Sequence, residues 1–480
     1  MAITTPSPLS PDSKILVLGS GVFGLSTALW LARSSYTDIT VLDMQDLASK
    51  SYNPGLGIDS ASADINKIIR FSYGTEIEYQ RLAFEAAGMW NEWNRDKEKE
   101  LGRELGEQEK LWFNSGMLRM SAVEEFGEFE LRTLENMEKE GIRDEQFRSD
   151  YDDDIKRATE RGWAHKLDPC CRKERSGYHK AVLDSTAGYV AAYKSCDWAR
   201  QRAEGAGVKF VLDPVKGKAV GLGRSEENGK PTVKTADGQV HVADLIVVAC
   251  GGWTPSLLPE CSHILETTAG SIGTIQLPKD RKDLWERFAP ENFPVLTWGI
   301  KEGMGIYSFP RDENGIIKIG YRGTKFTNFD DVNGGHRMSV PKTAHVTEKK
   351  ETNIPMISLE AMREYISVNL PELLPLGLSS TKLCWYTDSI DNSFVIDYVP
   401  GRSGVAVCSG GSGHGFKFLP ILGREVVKIL EGKGRETVYG NMWKWREGPK
   451  DGKRNGLEEG EDGERVLAKQ EMATPQEWKL

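Results

Sequence analysis

Between Ile15 and Asp43 the chain reads Ile-Leu-Val-Leu-Gly19-Ser-Gly21-Val22-Phe23-Gly24-Leu-Ser-Thr-Ala-Leu-Trp-Leu-Ala-Arg33, and after a short connection Ile39-Thr-Val-Leu-Asp43. An apolar run of strand length turns through Gly-x-Gly-x-x-Gly into an apolar helix and then into a second strand that ends on an acid. Few folds tolerate that order. Gly19 allows the tight turn, Gly21 lets backbone approach a pyrophosphate, and Gly24 lets helix and strand pack closely. The helix start, with Val22 and Phe23, offers free N–H groups and the positive end of the helix dipole to phosphates. Asp43 is placed to accept from a ribose hydroxyl, which suits FAD or NAD. It would repel the 2′-phosphate of NADP. The competing reading is an ordinary glycine-rich turn between strand and helix.

The rest of the composition limits partners. The 480 residues suffice for one large unit or two to three domains, and a net charge of −9 argues against nucleic acid, which needs a basic face. No apolar run is long enough to span a bilayer, and the N-terminus lacks a basic-then-apolar signal pattern. Seven cysteines in no paired metal spacing read as free thiols in a reducing compartment, with no metal site. The cytoplasm is the expected location. Trp478-Lys-Leu480 resembles a peroxisomal address only in its last two residues.

Along the chain, 1–13 reads as a loose lead-in and Glu76 to Lys97 as a helix. Glu124 to Glu140 is another helix, and 141–178 is a poorly patterned insertion or lid. A second αβ unit follows, with a helix at Cys196 to Gly205 and strands at 208–212 and 243–250. The last of these closes on Gly251-Gly-Trp253. From 265 to 330 the pattern is mainly β, including Val295 to Ile300. A helix at 357–369 precedes strands at 383–388, 393–397 and 405–408, and Leu422 to Leu430 is helical. The charged stretch 447–480 reads as a surface tail.

Four features carry chemistry together. Lys67 and Arg70 lie three apart and would share a face on a helix. Lys318 sits in an apolar strand, followed by Tyr321 and Arg322. Cys384 precedes an aromatic pair in a strand. Gly413-His414-Gly415-Phe416-Lys417 is a second glycine-rich turn after a strand, whose backbone N–H groups could reach a cofactor while Lys417 reaches a carboxylate. Each alone has a bland reading: a solvated cation, a core thiol, a turn.

In combination, Gly19-Ser-Gly-Val-Phe-Gly24, Asp64-Ile-Asn-Lys-Ile-Ile-Arg70, Gly251-Gly-Trp253, Lys318-Ile-Gly-Tyr-Arg322, Cys384-Trp-Tyr386 and Gly413-His-Gly-Phe-Lys417 resemble the family of monomeric sarcosine oxidase, fructosyl amino acid oxidases (amadoriases), and pipecolate and saccharopine oxidases. The resemblance spans about residues 14 to 430. It implies an α/β chain of two domains. One is a glutathione-reductase-type FAD-binding Rossmann domain, expected at 1–108, 183–260 and 385–446. The other is a substrate domain with a mainly antiparallel sheet, expected at 109–182 and 261–384. It further implies FAD held through a thioether at Cys384, with Lys67 as the basic residue over the flavin ring. Arg70 and Lys417 would grip the substrate carboxylate, Lys318 would promote reaction with oxygen, and Tyr307 and Tyr386 would line the pocket. The implied partners are an amino acid and O2, and the implied state is a monomer. At Arg322 the chain departs from the family, where sarcosine oxidases carry His and amadoriases Glu. An arginine there suits an additional substrate carboxylate, as in saccharopine, and puts a fructosyl substrate in doubt. The open alternatives are a fructosyl amino acid oxidase, a biosynthetic N-methyl amino acid oxidase, and a flavin dehydrogenase with a protein acceptor.

Overall fold

The computed structural model describes residues 8–299, 304–332, 335–343, 352–447 and 457–479. Two sheets organise it. The first has six strands in the order Val395–Tyr398, Val405–Ser409, Leu245–Val248, Lys14–Leu18, Asp38–Asp43 and Lys209–Leu212. All neighbours are parallel except the first pair. Lys14–Leu18 lies near the centre, and Ile15, Leu16, Val17 and Leu18 are buried. This is what a short, continuous β-branched and aliphatic run does in a parallel sheet covered on both faces. The helices Val22–Arg33 and Leu422–Leu430 share one core with this sheet.

The second sheet has eight strands in the order Ser380–Ser389, Leu265–Gln276, Ile316–Phe326, Ile306–Ser308, Val295–Trp298, Met117–Met120, Ala181–Asp184 and Gln146–Arg148. Its pairs are antiparallel except Val295–Trp298 with Met117–Met120. The helix Met356–Asn369 packs on it through Leu359, Met362, Tyr365 and Ile366, which belong to a second core. The Tyr365 hydroxyl lies 2.6 Å from Ser308 Oγ, so the buried phenol is satisfied. A Rossmann-type parallel sheet and a mainly antiparallel one are the two-domain α/β architecture expected. A small antiparallel sheet of Asn66–Ile69, Gly188–Ala191 and Trp112–Phe113 carries Lys67.

Several expectations need correction. Lys67 lies on the strand Asn66–Ile69 and Arg70 follows it, so no helix face unites them. An odd spacing of three on extended chain turns side chains to opposite faces. Residues 141–178 are more regular than their poor patterning suggests. Gln146–Arg148 forms the edge of the eight-stranded sheet, Asp152–Glu160 and Arg172–Ser176 are helical, and Phe147, Lys166 and Arg172 are buried. Buried cations hid that pattern: Lys166 Nζ donates to the Ser115 and Pro290 carbonyls, each at 2.8 Å. The strands Ala219–Arg224, Pro231–Thr235 and Val240–Val242 form a meander that hydropathy did not single out. Strand Ser380–Ser389 continues through the boundary expected at 384/385. Met1–Ser7 of the lead-in, Ile300 and Leu480 lie outside the described residues.

The C-terminal stretch also departs from a loose tail where it is described. Val466 bridges Thr327 and Met472 bridges Pro355, while Leu467 and Ala473 are buried in the second core. The Trp478 carbonyl accepts from Leu378 N–H at 2.9 Å. Leu467→Ala should therefore lower stability by about 2–3 kcal/mol, read as a shift of the urea midpoint. A midpoint equal to the parent's would mean the segment is only draped on the surface. Among the described residues no helix is long and apolar enough to cross a membrane.

Candidate active site

The glycine-rich turn has the shape that dinucleotide binding requires. Gly19 has φ +96°, and a Cβ on Gly24 would sit 1.9 Å from the Gly19 carbonyl oxygen. Any larger residue at Gly24 would push the helix off the strand. Gly21, in extended conformation, caps the helix Val22–Arg33 without a side-chain bond. Asp43 Oδ2 accepts from Ser20 N–H at 2.7 Å, so the acid fixes the turn as well as ending the second strand. Ser62 Oγ accepts from Val22 N–H at 3.0 Å at the helix start. Gly251–Trp253 forms a short 3₁₀ turn directly after the neighbouring strand Leu245–Val248. The turn at 410–417 follows Val405–Ser409, and its Gly415 lies under the ring of Phe23. Parallel strands that open at one end onto these three turns form the cradle of a dinucleotide. The residues present therefore fit FAD: Gly19, Gly21, Val22, Phe23, Gly24, Asp43, Gly251, Trp253 and Gly413 lie in or beside these turns.

Alternation along the second sheet supplies the chemistry. In Ile316–Phe326 the residues Lys318, Gly320 and Arg322 share one face, and in Ser380–Ser389 so do Cys384, Tyr386 and Asp388. Glycine at 320 is essential to this face: a Cβ there would lie 2.1 Å from Tyr307 Cζ, so the Tyr307 ring folds across the strand only because the side chain is missing.

Lys318 is 1% exposed and donates to Asp64 Oδ2 at 2.8 Å and to the Asn66 carbonyl at 2.6 Å. Lys67 donates to the same Asp64 oxygen at 2.7 Å, and its Nζ is 3.8 Å from Cys384 Sγ. One buried carboxylate thus holds two ammonium groups. Burial alone would push the Asp64 carboxyl up, but Lys318 and Lys67 together hold it well below its usual range. Burial weakens the Lys67 ammonium, yet Asp64 more than restores it. For Lys318 burial wins over Asp64, and Lys67 adds repulsion, so its ammonium is lowered to about 8. Burial pushes the Tyr307 phenol up.

A second cationic group lies around the turn at 413. Arg322 Nε donates to the Tyr386 hydroxyl at 3.0 Å, and the guanidinium stacks 4.8 Å from that ring. A Cβ on Gly413, whose φ is +71°, would fall 1.9 Å from an Arg322 nitrogen. The arginine therefore presses on bare backbone. Its other nitrogen is 3.9 Å from Asp388, whose opposite oxygen is 3.2 Å from Lys325. Burial disfavours the guanidinium charge, but Tyr386 and Asp388 outweigh it. Burial pushes the Tyr386 phenol up to about 12. Arg70 stacks 4.5 Å from the Tyr73 ring and donates to the Ser72 carbonyl. Lys417 is 2% exposed and donates to the Tyr73 hydroxyl at 2.8 Å. His414 lies beside it, 3.2 Å from the same hydroxyl, and Phe416 packs near Trp90.

All the catalytic candidates therefore converge where the two sheets meet, although Arg70 arrives by a loop. Sequence reading assigned no role to Asp64, Tyr73 or Asp388. The available signal was charge balance: Lys67, Arg70, Lys318, Arg322, Lys325 and Lys417 cannot share a buried space without acids. Among the described residues no group of three or more His, Cys, Asp and Glu is arranged to hold a metal ion.

The chain is 28% identical over 455 residues to the L-saccharopine oxidase of Schizosaccharomyces pombe, with 91% of this chain and 94% of that one covered. It is 23% identical over 425 residues to the monomeric sarcosine oxidase of Bacillus sp. (strain NS-129), covering 88% and 93%. The fructosyl peptide oxidase from E. terrenum superposes with a TM-score of 0.78 at 24% identity, covering 98% of this chain and 99% of that one. A modified fructosyl peptide oxidase from Aspergillus nidulans gives 0.77 at 27% identity, covering 96% and 99%. Residues 14–429 match the DAO family, and the chain belongs to that family of FAD-dependent oxidoreductases.

Proposed function

We propose that the protein is an oxidase of secondary, N-substituted amino acids that oxidises the C–N bond to an imine and returns the electrons to O2 as hydrogen peroxide. The observation that carries this reading is the Lys67–Asp64–Lys318 group, buried beside Cys384. The relatives support it: their names are those of oxidases acting on saccharopine and sarcosine. Bound FAD would supply the acceptor for a hydride equivalent from the carbon next to nitrogen. The protein's own residues do the rest. Arg70 and Lys417 grip the substrate carboxylate, a planar fork and a point charge together. The surrounding cations disfavour an ammonium substrate and so favour the neutral amine that the reaction needs. Lys318 holds a fixed positive charge where negative charge develops on oxygen. Lys67 would supply the basic group beside the flavin, Cys384 would supply the thioether that holds it, and Tyr307 and Tyr386 would wall the pocket. We expect a monomer.

The test is a visible spectrum of acid-precipitated protein followed by anaerobic titration with sarcosine, pipecolate, saccharopine and fructosyl-glycine. Yellow colour retained in the pellet and bleaching by a secondary amino acid are the expected results. Colour released to the supernatant removes the thioether at Cys384. Slow reoxidation in air would favour a dehydrogenase with a protein acceptor instead.

A second carboxylate on the substrate is favoured by Arg322. Its Nε is committed to Tyr386, while Asp388 stands 3.9 Å away, beyond hydrogen-bond reach. The fork is thus oriented without being consumed. Arg322→Glu should weaken a dicarboxylic substrate by on the order of 2 kcal/mol or more relative to a monocarboxylic one. Equal kinetics for both substrates would reject the idea. Bleaching by fructosyl-glycine would show that Arg322 does not exclude a fructosyl amine.

A further inference from the structure

Lys417 ends a directed chain of hydrogen bonds. Its Nζ is 2.8 Å from the Tyr73 hydroxyl, which is 3.2 Å from His414 Nδ1, and His414 Nε2 is 2.9 Å from the Asn392 carbonyl. The last link sets the polarity. A carbonyl only accepts, so Nε2 carries the imidazole proton and Nδ1 is bare. Tyr73 must then donate to Nδ1 and accept from Lys417. The inner end is buried, whereas His414 is half-buried and Asn392 is exposed on its loop.

We propose that Tyr73 and His414 form a proton relay that orients Lys417 toward the substrate carboxylate and exchanges its proton with solvent at the Asn392 loop. The proposal rests on the reading of Lys417 as a carboxylate ligand. In the outward direction a proton leaves Lys417 for the Tyr73 oxygen while the Tyr73 hydroxyl proton passes to His414 Nδ1. The imidazolium so formed gives its Nε2 proton to water. Inward transfer reverses the same bonds, and no electrons move.

The electrostatics give this relay a task. Burial lowers the proton affinity of Lys417 far below that of an ordinary lysine, and Arg70 lowers it further. Burial and Lys417 likewise keep His414 neutral. The groups around the chain are Arg70, Arg322, Tyr79 and Glu76. Among the described residues, Lys417 bonds the Tyr73 hydroxyl and the His414 carbonyl. A docking carboxylate supplies the missing counter-charge and pulls a proton in, and its departure sends the proton out. The positive charge then exists when there is an anion to meet it.

The experiment uses FAD-loaded enzyme and acetate, a carboxylate without an oxidisable amine. Binding is read from the flavin spectrum, and proton uptake from a pH indicator in weakly buffered stopped flow. The native enzyme should take up a proton as acetate binds. Tyr73→Phe should weaken acetate about tenfold or more and slow uptake at least as much, since a bond to a charged group is lost. In His414→Gln the amide still accepts from Tyr73 and donates to Asn392 but cannot pass a proton. That variant should hold acetate within about threefold of native and lose the fast uptake. Uptake at the native rate in both variants overturns the relay. If native enzyme does not bind acetate, the carboxylate role of Lys417 fails and the relay fails with it.

Discussion

Replacing Lys318 by methionine should cut the rate of reoxidation by O2 by on the order of 10²–10³ while reduction by substrate changes little. The ammonium lies in a water-poor site, bonded to Asp64 and the Asn66 carbonyl and 4.6 Å from the Phe309 ring. A charge there is barely screened, so its loss is felt in full at the step where oxygen gains negative charge. Methionine nearly conserves the volume, which keeps the packing cost below about 1.5 kcal/mol. Asp64 retains Lys67 as partner. The native enzyme should also show a pH limb. With its ammonium lowered to about 8, Lys318 is charged below that pH and neutral above it. Reoxidation should therefore slow as pH rises through about 8, and the methionine variant should be flat there. The measurement is anaerobic photoreduction followed by mixing with oxygenated buffer across that range. Native-like reoxidation by the variant would remove Lys318 from the oxygen site.

Asp64→Asn should be the most destabilising of the single changes in the site, by about 3–5 kcal/mol near neutral pH, because it strands two buried ammonium groups. Its carboxyl is held well below the usual range in the folded protein, so its contribution is fully present above the unfolded value near 4. That contribution fades as pH falls through the folded value. The stability gap between native and variant protein should thus be constant from pH 7 down to about 5 and narrow progressively below about pH 4, compared by urea unfolding across that range. Without Asp64 the Lys318 ammonium weakens further, so the reoxidation limb should also move to lower pH. A gap independent of pH would mean the carboxylate does not carry the two cations.

The dinucleotide turn was legible because three glycines, each forced by a close backbone approach, sit in consecutive local structure. Gly24 against the Gly19 carbonyl is such a case. Strand limits near 15–18, 245–248 and 405–409 were legible for a related reason: central parallel strands are uninterrupted apolar runs. Lys318, Arg322 and Cys384 were found as residues out of place in strands, and the resemblance gave them roles. What stayed hidden was long-range. Asp64 meets Lys318 across more than 250 residues of chain, and Lys417 meets Tyr73 across more than 340. No local period encodes such pairs. The packed 141–178 region and the C-terminal segment were misjudged because their cations end on backbone carbonyls or acids instead of in water. Lys166 on Ser115 and Arg465 on Glu266, 3.0 Å apart, are examples.

The order of strands in the parallel sheet has a consequence for how the protein is made. Val405–Ser409 lies next to Leu245–Val248, which in turn lies next to Lys14–Leu18. During synthesis the first strand must wait for a neighbour more than 200 residues away, and that neighbour waits for one more than 150 residues further on. The turn at 410–417 leaves the ribosome later still. Such a sheet has high contact order and forms slowly. Early emerging strands stay without their full set of partners, a state prone to aggregation. FAD, binding only the assembled cradle, then acts as a late ligand that draws the folded state forward by mass action. Yield in a foreign host should accordingly follow riboflavin supply and lowered growth temperature more closely than it follows transcript level.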